Sequence, residues 1–114
     1  MFSGCYNLQN APELPATSLK SYCYYYMFYG CEKLTIAPYL PALYLETSCY
    51  VSMFNSCYYL RYIKADFIEL LSGATNDWVK TVLVRNGTFV KHPQATWNVI
   101  GNNGVPSGWT IITE

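Results

Sequence analysis

Apolar residues in the first half of the chain recur at a spacing far longer than that of a helix or a strand. Met1, Phe2, Gly4, Cys5, Leu8, Ala11 and Pro12 return as Met27, Phe28, Gly30, Cys31, Leu34, Ala37 and Pro38. Leu14, Pro15, Ala16, Leu19, Cys23 and Tyr24 return as Leu40, Pro41, Ala42, Leu45, Cys49 and Tyr50. Thirteen of 26 positions are thus identical between residues 1–26 and 27–52, where chance gives about one or two. A third copy starts at Met53 and keeps Phe54, Cys57, Leu60 and Leu71 in phase, but loses the Ala-Pro-x-Leu-Pro-Ala segment. A fixed period of this length implies stacked supersecondary units, each unable to bury its apolar side alone.

Within one unit, Cys5-x-x-Leu8-x-x-Ala11-Pro12 is too short for a helix and ends on a residue without a backbone donor, so it predicts a short strand. Leu34-Thr35-Ile36-Ala37-Pro38 has stronger strand propensity. Pro12 and Pro15 then predict an extended corner. Thr17 or Ser18 can cap a following short helix, whose stripe is Leu19, Cys23, Tyr24 and Met27. Gly4 and Gly30 would close that helix in a left-handed conformation. The expected coil is strand, corner, helix and turn, with the strands side by side and the helices along the outer side.

Beyond Ala65 the pattern changes. Asp66, Phe67, Leu70 and Leu71 predict a helix over 66–80 with Asp66 as its N-cap. Thr81–Val84 and Thr88–Lys91 flank Asn86-Gly87 and read as a hairpin, and Trp109–Ile112 as a final edge strand. The expected organisation is therefore repeat coils over 1–65 (1–26, 27–52 and a partial 53–65) and a C-terminal helix and β-hairpin cap over 66–114. Trp78, Phe89, Trp97 and Trp109 would pack onto the last coil or, alternatively, form an aromatic platform for a ligand. Met1 is in phase with Met27 and Met53, with no capping segment before it, so the N-terminal edge is expected to be covered by further repeats or by a partner.

Composition narrows the function. Seven Lys and Arg balance seven Asp and Glu, which gives no net field to draw nucleic acid or an anionic membrane. No segment reads as a spanning helix; the long uncharged run from His92 to Thr113 is broken by Gly and Pro. Charged residues are only 12% of the chain and aromatics 18%, twelve of them Tyr, so tyrosine hydroxyls must supply polar surface or the rings must meet a neighbour.

Candidate chemistry finds little support. The five cysteines fall into two rows at the repeat period, Cys5/Cys31/Cys57 and Cys23/Cys49, whereas zinc needs four ligands converging on one point. Buried thiols acting as small apolar groups are one reading of these rows, and disulfides within an exported protein the other. His92 is the single histidine, followed by Pro93, and no Ser or Cys has the context of an activated nucleophile. Glu13, Glu32 and Glu46 occupy different repeat positions, and no carboxylate pair is spaced for acid–base work. Neither catalytic residues, a cofactor nor a metal is expected, and the chain reads as non-enzymatic.

A binding surface is the remaining candidate. If Leu8, Leu34 and Leu60 point inward, their neighbours build two exposed rows, Asn7/Lys33/Tyr59 and Gln9/Thr35/Arg61. These six residues vary from copy to copy while the inward positions repeat. Tyr22, Tyr25, Tyr26 and Tyr29 form a second aromatic group, either a recognition surface or a cover for the next coil.

The spacing Met-Phe-x-Gly-Cys-x-x-Leu-x-x-Ala-Pro-x-Leu-Pro-Ala-x-x-Leu-x-x-x-Cys-Tyr resembles the BspA-like class of leucine-rich repeats, found in surface proteins of Bacteroidetes and in related phage and protist proteins. The tail, with Tyr62–Ala65, Trp78-Val79, Gly87–Lys91, Ala95–Asn98 and Gly104–Thr110, is similar to the ending that often follows such repeats. The resemblance implies an α/β fold, a leucine-rich-repeat-type solenoid of 26-residue coils with a C-terminal β-rich cap. It also implies display on a cell surface or phage particle, and adhesion to a host or bacterial surface protein or glycan. The alternative is a purely structural spacer or terminal cap of a longer repeat or fibre protein.

Overall fold

The computed structural model describes residues 2–9, 11–14 and 16–114, and among these three short strands form the only sheet. Strand β1 is Tyr62–Ala65, β2 is Thr88–Lys91 and β3 is Thr110–Thr113. They lie in the order β1-β2-β3 and are all parallel, with Tyr62 opposite Thr88 and Thr88 opposite Thr110. Two single bridges, Ile36 to Tyr62 and Leu40 to Ala65, extend the parallel pairing back into the second copy. The body measures 34 × 29 × 22 Å.

This overturns the expected α/β solenoid of strand-plus-helix coils. Among the described residues there is no helix, and the strands expected at Cys5–Pro12 and Leu34–Pro38 are absent apart from those single bridges. Pro15, half of the expected corner, and Met1 lie outside the described residues.

The reason lies in how residues 21–30 use their amide hydrogens. Tyr25, Met27 and Tyr29 donate to the carbonyls of Tyr22, Tyr24 and Tyr26, closing successive tight turns. The alternate amides of Tyr22, Tyr24, Tyr26, Phe28 and Gly30 donate instead to Thr47, Cys49, Val51, Met53 and Asn55, about one repeat further on. Residues 50–56 repeat the arrangement against Ala74, Asn76, Trp78 and Lys80. A helix would keep all these donors within its own segment. Here half of them hold one segment to the next, and the backbone turns left-handed at every fourth residue: Tyr22, Tyr26 and Gly30, then Ser48, Ser52 and Ser56, then Gly73, Asp77 and Thr81.

The helix expected over 66–80 is absent for the same reason. Asp66 caps nothing; its carboxylate accepts the Tyr39 hydroxyl, while its amide donates to Leu40. The Thr81–Val84 and Thr88–Lys91 hairpin does not form either. Leu83 donates to Tyr58, Thr88 donates to Arg61, and β2 runs parallel between β1 and β3. Gly87 serves a close approach in place of a hairpin turn: a Cβ there would collide with the Trp109 ring and lie 2.7 Å from the Arg61 carbonyl oxygen.

The core stacks like on like across the repeat. Phe2, Phe28 and Phe54 form a near-parallel column with centroid spacings of 5.4 and 5.8 Å. Tyr24, Tyr50 and Trp78 form a second, at 6.1 and 5.7 Å. Beside the first column, the thiols of Cys31 and Cys57 donate to the Phe2 and Phe28 carbonyls, each at 3.1 Å. Positions identical in sequence are therefore those that meet their own counterpart in the stack, where one ring shape suits both sides.

In the C-terminal part, three buried indoles anchor distant backbone. Trp78 donates to Gly104, Trp97 to Phe67 and Trp109 to Val84, at 2.7–3.0 Å. Lys91, in register with Ala65 on the inner face of the sheet, is also buried. Its ammonium donates to the Trp97 carbonyl at 2.6 Å and lies 4.2 Å from the centre of that indole, and burial lowers its pKa.

Candidate binding surface

A single local device shapes the candidate surface. In each copy the segment Cys-x-x-Leu is a turn closed by the leucine amide on the cysteine carbonyl: Leu8 to Cys5, Leu34 to Cys31 and Leu60 to Cys57, at 3.0–3.2 Å. Leu34 and Leu60 are fully buried and Leu8 is half-buried. Each turn pushes its second middle residue outward, so Asn7, Lys33 and Tyr59 are all exposed. Their direction follows from this turn, in place of the strand alternation expected.

The residue after each leucine forms the second row. Gln9 and Arg61 are exposed and Thr35 is half-buried between them. The Arg61 backbone is fixed on both sides, because its amide donates to Thr35 at 2.8 Å and its carbonyl accepts from Thr88 at 2.9 Å. That clamp leaves only the side chain free to move.

Five of the six residues, Gln9, Lys33, Thr35, Tyr59 and Arg61, line one concavity of about 490 Å³. Asn7 is exposed nearby but does not line it. Arg61 is shared with an adjoining concavity, also of about 490 Å³, lined by Ile36, Tyr62, Asn86 and Thr88. Among the described residues, neither Lys33 nor Arg61 takes part in a side-chain hydrogen bond. No carboxylate lines either concavity.

Sequence reasoning missed the second concavity. Its members were in reach: Ile36, Tyr62 and Thr88 follow one another at the 26-residue period and are partners in the parallel register. The period continues in the backbone after identity has faded from the side chains.

Other surface features differ in character. An apolar groove of about 350 Å³ is lined by Pro12 and Leu14 of the first copy and by Pro38, Tyr39 and Pro41 of the second, among others. Tyr39 borders it, its ring 5.1 Å from the Lys64 ammonium and its hydroxyl on Asp66, a bond that raises the pKa of the phenol. Tyr22, Tyr25, Tyr26 and Tyr29 are exposed and in mutual contact, with centroids 4.4–5.3 Å apart.

The five cysteines are free thiols. Cys31, Cys49 and Cys57 are buried, and burial raises their pKa values, that of Cys49 to about 11; Cys5 and Cys23 are exposed. Among the described residues, no group of three His, Cys, Asp or Glu side chains is placed to hold a metal ion. His92 accepts the Gln94 amide on Nδ1. Among the described residues, no helix is long and apolar enough to cross a membrane.

No family model, curated protein or solved structure matches this chain. The functional reading therefore rests on the residues of the surface itself.

Proposed function

We propose that this chain is a non-enzymatic binding module that engages a surface protein or glycan through the face carrying Lys33, Tyr59 and Arg61. One observation carries the reading: five variable side chains from three separate copies converge on one concavity of about 490 Å³. A cleft of that size falls within the range of ligand-binding sites. Its lining supplies an amide, a hydroxyl, two cations and a 58% exposed tyrosine ring, which are recognition groups with no nucleophile–base pair among them. The likeness in spacing to BspA-like repeats supports display on a cell surface or phage particle.

The test replaces Tyr59 and Arg61 together by alanine and measures attachment of the protein to host cells and to bacterial surface material. Near-UV circular dichroism checks the fold. Attachment should fall about tenfold or more, as expected when two central recognition side chains are removed. Unchanged attachment by a folded variant would remove the binding reading and leave a structural spacer or terminal cap.

A further inference from the structure

We infer that the ligand of this face is a saccharide bearing carboxylate groups, an inference that rests on the binding reading above. The chain as a whole is neutral, with seven basic and seven acidic residues. Attraction of an anion must therefore be local, and the two adjoining concavities concentrate it. Lys33 and Arg61 stand in one of them, Arg61 extends into the other, and no acidic side chain lines either.

The guanidinium of Arg61 presents a planar fork that matches a carboxylate with two parallel hydrogen bonds. Its backbone is clamped by Thr35 and Thr88, so the fork projects from a fixed base. Lys33 adds a second charge from the neighbouring copy.

The rest of the lining decides between an acidic sugar and an acidic peptide. Gln9, Thr35, Asn86 and Thr88 offer neutral amides and hydroxyls across both concavities, suited to a ligand rich in hydroxyl groups. Tyr59 and Tyr62 offer ring faces on which the C–H side of a sugar ring can rest. An extended peptide would gain most from pairing with a free strand edge. Here the Arg61 amide and carbonyl are already paired to Thr35 and Thr88, so at Arg61 the side chain alone is left to meet a ligand.

The experiment titrates the full chain calorimetrically with three probes: an oligogalacturonate, its methyl ester, and poly-L-glutamate of matched charge. Binding of the oligogalacturonate should weaken as sodium chloride is raised. It should also weaken about tenfold or more in each of Arg61→Gln and Lys33→Gln. The methyl ester and poly-L-glutamate should bind at least tenfold more weakly than the acid sugar. Equal binding of the methyl ester would overturn the role of charge, and equal or tighter binding of poly-L-glutamate would overturn the sugar; either result leaves the binding reading standing. Binding of none of the three overturns the inference, and the attachment assay then decides the binding reading separately. Both glutamine variants remove charge from exposed side chains, and native near-UV spectra establish that any loss is local.

Discussion

The ring of Tyr50 lies 5.7 Å from that of Trp78 and within 12° of parallel, yet its buried hydroxyl has no hydrogen-bond partner among the described residues. Stacking favours the ring, whereas burial withdraws the oxygen from bulk solvent. Tyr50→Phe should keep the column and remove the isolated hydroxyl, raising stability by about 1–3 kcal/mol. Tyr50→Ala should lose about 3–5 kcal/mol by opening a cavity. Urea unfolding of the two variants checks both; a less stable phenylalanine variant would show that the hydroxyl is satisfied.

Two glycines should fail for different reasons. Gly30 has a φ of 73° and room for a Cβ, whose nearest neighbours are 3.9 Å away in Gly4. Gly30→Ala should therefore lose only the conformational term, about 1–2 kcal/mol. At Gly87 the obstacle is contact with Trp109 and the Arg61 carbonyl. Gly87→Ala should lose about 1–3 kcal/mol or more and alter the near-UV signal of Trp109. An unchanged spectrum with full stability would refute the close approach.

Alkaline pH should destabilise the fold. Burial raises the pKa values of the Cys31, Cys49 and Cys57 thiols above their ordinary 9.0, and that of the Tyr50 phenol above 10.0. The folded chain holds these protons where the unfolded chain has released them. Their contribution is whole below about pH 9 and is lost as pH rises toward the folded values. Lys91 works in the opposite sense below its ordinary 10.5, because its pKa is lowered, but it is one group against several. The urea midpoint should fall steadily between pH 9 and 10.5. Cys49→Ala should flatten that fall by up to about 1.4 kcal/mol per pH unit.

The thiols should separate into two classes. Cys5 and Cys23 are exposed and should be alkylated by iodoacetamide in the native protein. Cys31, Cys49 and Cys57 should react only after unfolding. Mass spectrometry of the quenched reaction counts the modified residues, and modification of Cys57 in native buffer would contradict its burial.

The repeat announces the rows that stack, because Phe2, Phe28 and Phe54 must match one another in shape. Strand β2 was legible at Thr88–Lys91, and β3 fell within a residue of the expected Trp109–Ile112 edge. The turns were misread as helices although their spacing distinguishes the two. Leu45, Cys49, Met53 and Cys57 are all buried at intervals of four residues. On a helix each four-residue step turns about 40° past a full circle, so four such residues would wander off one face. A backbone that resets with a left-handed residue every fourth position keeps them aligned.

Gly87 misled for a related reason: Asn86-Gly87 matches a hairpin turn locally, and only the distant Trp109 and Arg61 reveal why the glycine is there. For the candidate surface, Gln9, Lys33, Thr35, Tyr59 and Arg61 could be found by varying against a repeating background. Thr88 was in reach through the period it shares with Ile36 and Tyr62, whereas Asn86 was not, because identity has lapsed where it stands.

The alternating amides of residues 22–30 bear on how fast this protein can fold. A helix can flicker into existence alone, within about a microsecond. No such nucleus exists here, since every second donor waits for a carbonyl about 25 residues away. The chain must close long loops before any segment is satisfied, so folding is expected to be slow, on the order of milliseconds to seconds. Once one pair of segments has met, its neighbour finds a ready template.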